Sequence, residues 1–173
     1  MVEREARQLS IQIRPVHPDD VADLYDIVSY PAVARTLVQL PSMEFSETLA
    51  WMRKEQAGRH RLVAEVEGKV VGSASLTQFQ NPRLAHAGKL GLMVHPDYWG
   101  RGVGSALMVA LLDLADNWLN LRRVELEVFT HNAAAVHLYQ KFGFVIEGTC
   151  RRVVYGEGGW YDEYVMARLR QRE

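Results

Sequence analysis

Residues 89–119 constrain the fold more than any other stretch of the chain. They open with an apolar strand, Lys89–His95, which stops at Pro96. Gly100-Arg101-Gly102-Val103-Gly104 follows, and a helix runs directly behind it to Leu119. Ala106, Leu107, Val109, Ala110, Leu111, Leu112, Leu114 and Ala115 make that helix apolar on most sides, so it belongs against a sheet. A strand, three alternate glycines and a helix start bring several free backbone N–H groups to one point. Such a nest, reinforced by the positive end of the helix dipole, suits a phosphate or pyrophosphate. Glycine is needed there because a Cβ would hold the anion away from the backbone. The plainer alternative is a tight turn with no ligand. Two familiar phosphate motifs are excluded. A P-loop ends in Gly-Lys-Ser/Thr, whereas this loop ends Gly104-Ser105-Ala106. The dinucleotide fingerprint is Gly-x-Gly-x-x-Gly, whereas the spacing here is Gly-x-Gly-x-Gly.

The rest of the chain supplies a sheet for that helix to cover. Leu9, Ile11 and Ile13 alternate with polar residues and predict a strand over Leu9–Arg14, ended by Pro15. Pro18-Asp19-Asp20 starts a helix whose apolar stripe is Val21, Leu24, Ile27 and Val28. Pro31 and Pro41 bracket an irregular stretch, and a second helix is expected over Ser46–Gly58. Arg61–Glu67 and Val70–Gln78 read as strands joined by a Gly68-Lys69 turn. Arg123–Phe129 reads as a strand and Asn132–Phe142 as a helix stopped by Gly143. Phe144–Tyr155 and Tyr161–Leu169 read as closing strands. The order β-α-α-β-β-β-α-β-α-β-β predicts an α+β sheet covered by helices, in one domain spanning residues 1–173.

Composition excludes several classes. Hydrophobic residues are 48% and charged residues 24%, so the chain can bury a core without disulfides or metal. Twenty basic residues against twenty-one acidic ones give no reason to expect a nucleic-acid or anionic-membrane partner. Cys150 is the only cysteine, which precludes an internal disulfide and suits a reducing cytoplasm. Residues 1–10 lack the apolar core of a signal peptide, and Ser105–Leu119 is too short to span a bilayer. His17, His60, His86, His95, His131 and His137 form no ligand-spaced pair, so no metal is expected.

A second constellation lies on Val124–Phe144. Asn132 stands where a side chain caps a helix. Tyr139 lies seven residues further on, two turns away, so both can face one side. From spacing alone a tyrosine at position 139 is more often a packing aromatic than a proton donor.

Taken together, these segments resemble the GCN5-related N-acetyltransferase superfamily. The residues that carry the likeness run from Leu92 through His95, Pro96 and Gly100 to Gly104, then Asn132, Ala135, Leu138-Tyr139 and Phe142-Gly143-Phe144. Thr36–Pro41, Asp116–Leu119, Ile146–Thr149 and Tyr161–Arg168 resemble bacterial L-amino-acid N-acetyltransferases that act on methionine or phenylalanine. The resemblance implies a mixed, mostly antiparallel sheet of about seven strands flanked by about four helices. It implies acetyl-CoA as co-substrate, held by Met93, Val94, Trp99, Gly100, Arg101, Gly102, Val103, Gly104, Ser105, Asn132, Ala135 and Tyr139. In that scheme an N–H near Val94 polarises the thioester carbonyl and Tyr139 protonates the departing thiolate. Leu37, Gln39, Pro41, Phe79, Tyr155 and Tyr161 are the implied acceptor lining, between the two N-terminal helices and the last hairpin, and core filling is the alternative for each. The acceptor is then a small-molecule primary amine, with a homodimer expected by analogy alone.

Two departures stand out. Many relatives carry a glutamate on the strand matching Lys89–His95, but KLGLMVH has no carboxylate. Glu127, Glu125 and a water chain are the open choices for the base. Trp99 replaces a glutamine, arginine or lysine at the start of the phosphate loop. Backbone binding survives that change, and a side-chain phosphate contact does not. The rival readings are a protein N-terminal or polyamine acetyltransferase, for which Glu44, Glu47, Asp162 and Glu163 offer carboxylates, and a CoA-binding module without turnover.

Overall fold

The computed structural model describes residues 9–170. The expectation about a leader therefore falls almost wholly outside them. Seven strands form one sheet in the order β1-β2-β3-β4-β5-β7-β6. They are β1 (Gln12–Pro15), β2 (Arg59–Val66), β3 (Lys69–Gln78), β4 (Ala87–Val94), β5 (Arg123–Phe129), β6 (Val145–Gly156) and β7 (Gly159–Leu169). Every neighbouring pair is antiparallel except β4 and β5, which run parallel. That single parallel contact joins only Ala87–Lys89 to Arg123–Glu125. Beyond it the two strands part, and the gap they leave positions the site.

The helices are α1 (Val21–Ser29), α2 (Pro31–Ala34), α3 (Phe45–Arg53), α4 (Val103–Asp113) and α5 (Ala133–Lys141). The extra helix relative to expectation is α2, a single turn inside the stretch between Pro31 and Pro41. Burial divides by face. Leu107, Met108 and Leu111 of α4 are fully buried against Leu76, Leu90, Leu126 and Met166 of the sheet, and Tyr139 and Phe144 join this cluster. Each such leucine contributes about 2 kcal/mol through removal from water. On the opposite face Leu24 and Ile27 of α1 pack with Val33, Met52, Val63 and Val70.

Several element ends differ from the sequence expectation. Helix α3 stops at Arg53 because residues 54–57 are exposed and give a further turn nothing to bury. Gly58 instead adopts φ +73° in the turn leading into β2, where its carbonyl accepts from the Gln78 N–H. Leu9 and Ile11 pack against the core, yet pairing begins only at Gln12. The hairpin turn is Glu67-Gly68, and Lys69 already belongs to β3. Helix α4 continues to Trp118 as one wide π turn, with the Leu119 N–H bonded to the Leu114 carbonyl at 3.0 Å. Within that turn Asp116 receives both guanidinium nitrogens of Arg168 at 2.9 and 2.7 Å, which ties the end of α4 to β7. Among the described residues, no helix is long and apolar enough to cross a membrane.

Candidate active site

Backbone direction along β4 follows from one hydrogen bond. The His95 N–H donates to Val71 on β3 at 2.8 Å. Alternation along an antiparallel strand then turns the Met93 amide toward β3, and turns the N–H and carbonyl of Leu92 and Val94 toward the gap beside β5. Because β5 has already diverged, those groups face a cleft of about 740 Å³ rather than a neighbouring strand. The Val94 carbonyl is taken by the Trp99 indole N–H at 2.7 Å. The Val94 N–H is left pointing into the cleft.

The glycine loop closes one end of that cleft. Gly100 and Gly102 have φ of +69° and +89°, a region in which side chains are strained, and a Cβ at Gly100 would meet open space. Gly102 stands at the N-cap of α4, so the first N–H groups of that helix open toward the cleft beside Val103, Gly104 and Ser105. Gly104 serves packing: a Cβ there would come within 3.0 Å of Leu138 on α5. The Arg101 side chain turns away to lie over the Tyr98 ring, 5.3 Å from its centroid, and does not line the cleft. An eleven-residue helix start, two left-handed glycines, a free strand N–H and an unobstructed approach together fit a pyrophosphate joined to an extended arm.

Helix α5 forms the facing wall. Asn132 caps it, with Oδ1 accepting from the Ala135 N–H at 3.2 Å, and both residues line the cleft. Tyr139 is buried against Phe144 and also lines the cleft. Burial pushes its phenol up to about 12. A phenol so placed stays protonated at neutral pH and can donate.

On the other face of the sheet a smaller, mainly apolar pocket of about 170 Å³ joins the cleft through Leu37, Gln39, Gly91, Leu92 and Met93. Its far wall is Leu24, Val28, Met43, Thr48 and Trp51. Of the expected acceptor residues, Leu37 and Gln39 line both spaces. The Gln39 side-chain oxygen is buried without a partner, an acceptor available to an N–H group. Pro41, Phe79, Tyr155 and Tyr161 line neither space. Tyr161 packs at a tilt against His131 and Phe129, and the exposed Tyr155 packs on Trp160. The pocket thus lies between α1, α3 and the β3–β4 pair, not under the last hairpin. Ser73 and Ser75 were missed, although small polar residues at alternate positions of an apolar strand are the signal of a pocket wall. Among the described residues, no group of three or more histidines, cysteines or carboxylates is arranged to hold a metal.

Parted parallel strands, a glycine loop at a helix start and a buried tyrosine thus meet around one cleft. Residues 24–144 match the Acetyltransferase (GNAT) family, and the chain belongs to that family of N-acetyltransferases. It is 36% identical over 163 residues to the L-amino acid N-acetyltransferase AaaT of Escherichia coli (strain K12), a match covering 92% of this chain and 98% of that protein. The spermidine N(1)-acetyltransferase of the same strain is 25% identical over 141 residues, covering 80% of this chain and 75% of that one. The solved structure of yncA from Salmonella typhimurium with its cofactor acetyl-CoA superposes with a TM-score of 0.78 at 26% identity, covering 92% and 94% of the two chains.

Proposed function

We propose that this N-acetyltransferase transfers an acetyl group from acetyl-CoA to the α-amino group of an apolar L-amino acid such as methionine or phenylalanine. The reaction is read as direct attack within a ternary complex. The observation that carries this reading is the meeting of two unlike spaces at β4. The cleft offers backbone N–H groups for a pyrophosphate and a pantetheine-like arm, and the pocket offers an apolar floor for a side chain.

In this reading the loop from Trp99 to Ser105 binds the pyrophosphate through its N–H groups, and the free edge of β4 pairs with the arm as an added strand would. Asn132 and Ala135 border the arm. The thioester supplies an activated acetyl carbon. The Val94 N–H donates to the carbonyl oxygen as negative charge develops there, an effect worth about 3 kcal/mol where one such donor has been removed from other enzymes. Tyr139 gives its phenolic proton to the departing sulfur. Gln39 accepts from the acceptor amine, and the pocket between Leu24, Val28 and Trp51 takes the acceptor's side chain. The likeness to an L-amino acid N-acetyltransferase supports the same acceptor class.

A polyamine acceptor is the second reading. It is favoured by Glu127 and Glu163, both of which line the cleft, and by the likeness to a spermidine acetyltransferase. An acceptor panel separates the two. Thiol release from acetyl-CoA is followed with methionine, phenylalanine, spermidine and an N-terminal peptide. Highest kcat/KM on methionine or phenylalanine is the expected result. Turnover confined to spermidine or to the peptide contradicts the amino-acid assignment and leaves acetyl transfer intact.

A further inference from the structure

An ammonium acceptor must lose a proton before its nitrogen can attack, and the β4 residues that line the pocket are Gly91, Leu92 and Met93, none of which carries a basic side chain. Strand alternation shows which other groups reach that face. Val124, Leu126 and Val128 pack in the α4 cluster, so Glu125, Glu127 and Phe129 point the other way, toward the acceptor. Register places Val165 opposite Glu127 and Glu163 opposite Phe129. Glu163 therefore shares the acceptor face and stands diagonal to Glu127. Glu125 is held by Arg123 at 2.8 Å and lines neither the cleft nor the pocket. Among the described carboxylates, only Glu127 and Glu163 line the cleft or the pocket. His137 and Lys141 also border the cleft, but they belong to α5 on the opposite face of the sheet.

We propose that Glu163 is the catalytic residue that takes the proton from the acceptor's ammonium, beside a Glu127 that is paired with Lys89. The assignment rests on the amine-acetylation reading above. Glu127 is engaged by Lys89, whereas Glu163 has no ion pair among the described residues. Desolvation first, and then the Glu127 charge, raise the Glu163 carboxyl above the usual carboxylate range, while Lys89 acts in the opposite sense. The other groups facing it are Cys150 from β6 and Phe129 from β5, the latter stacked on His131 and tilted against Tyr161. A carboxylate raised in this way is a better proton acceptor than an ordinary one.

The protons balance. Glu163 takes one proton from the ammonium, which leaves a neutral amine with a free electron pair. That pair forms the C–N bond to the acetyl carbon as the C–S bond breaks, and its electrons go to sulfur. Tyr139 protonates the sulfur, and the phenolate then recovers a proton from the newly acylated nitrogen. Glu163 releases its own proton to solvent. The net reaction yields amide, thiol and one proton.

The test compares kcat and KM across pH for wild type, Glu163→Gln, Glu163→Asp, Glu127→Gln and Lys89→Met on the best acceptor, with acetyl-CoA affinity measured by calorimetry. Glu163→Gln is expected to lower kcat at neutral pH by about 10²-fold and to move the acid limb up to the acceptor amine's own pKa, with acetyl-CoA affinity unchanged. Glu163→Asp is expected to restore part of kcat. Glu127→Gln is expected to shift the limb to lower pH and Lys89→Met to higher pH. A Glu163→Gln enzyme that turns over the acceptor with wild-type kcat and an unmoved limb overturns the assignment while acetyl transfer stands. A wild-type enzyme with no turnover on any amine overturns both.

Discussion

The Trp99 indole N–H donates to the Val94 carbonyl across 2.7 Å, joining the start of the glycine loop to the last residue of β4. The bond satisfies a strand carbonyl that has lost its neighbour to the parting of β4 and β5, and it fixes the loop where its N–H groups converge. Trp99→Phe keeps most of the ring and removes the donor. A single hydrogen bond contributes about 0.5–1.5 kcal/mol, so the Kd for acetyl-CoA is expected to rise about two- to tenfold by calorimetry. An unchanged Kd would mean that the loop is ordered without this bond.

Gly102 tests the backbone rather than a contact. Its φ of +89° leaves an added Cβ nothing closer than Ile11 at 4.0 Å, so the cost of Gly102→Ala is conformational. The variant is expected to lose about 1–2 kcal/mol of stability by denaturant titration and to bind acetyl-CoA more weakly. Equal stability would place the strain elsewhere.

Tyr139 links burial to alkaline stability. Its phenol is neutral when folded up to about pH 12, whereas the unfolded chain ionises at its ordinary value near 10. The folded pKa is the higher one, so below pH 10 both states keep the proton and stability does not depend on it. Between these values only the unfolded state releases the proton, and stability falls as pH rises. Tyr139→Phe is expected to flatten the loss of Tm between about pH 10 and about pH 12 in a thermal scan, the window between the unfolded and folded values. Parallel wild-type and variant curves would refute the buried phenol as the source.

The Asp116–Arg168 pair tests a contact remote from the cleft. Two charge-assisted bonds hold the π turn of α4 to β7, and both side chains are about four-fifths buried. Asp116→Ala is expected to cost about 1.5–3 kcal/mol in denaturant titration with kcat per folded molecule unchanged. Loss of kcat at full stability would show that α4 transmits strain to the glycine loop.

Much of the fold was legible because its signals are local. Alternation gave β2 through β7, and the apolar helix after Gly104 gave α4 together with the face it covers. The parting of β4 from β5 left no such trace, because nothing in the spacing of Lys89–His95 tells how far a strand 30-odd residues later stays paired. The glycine loop at the start of α4 and the shared face of Asn132 and Tyr139 were also readable, since they depend on helix starts and helix turns. The acceptor pocket was not. Leu37 and Gln39 were found through likeness, whereas Ser73, Ser75, Thr48 and Trp51 meet only when α1 and α3 fold across β3 and β4. Tyr155 and Tyr161, chosen through the same likeness, line neither the cleft nor the pocket.

Product identification tests the central claim most directly. Wild type and Tyr139→Phe are incubated with acetyl-CoA and methionine, and free thiol and N-acetylmethionine are quantified together by mass spectrometry. Equal amounts of thiol and N-acetylated product are expected from wild type, with the rate reduced about 10²-fold or more in Tyr139→Phe. Thiol release without N-acetylated product, or no release with this or any other amine, would contradict acetyl transfer to an amine at this cleft.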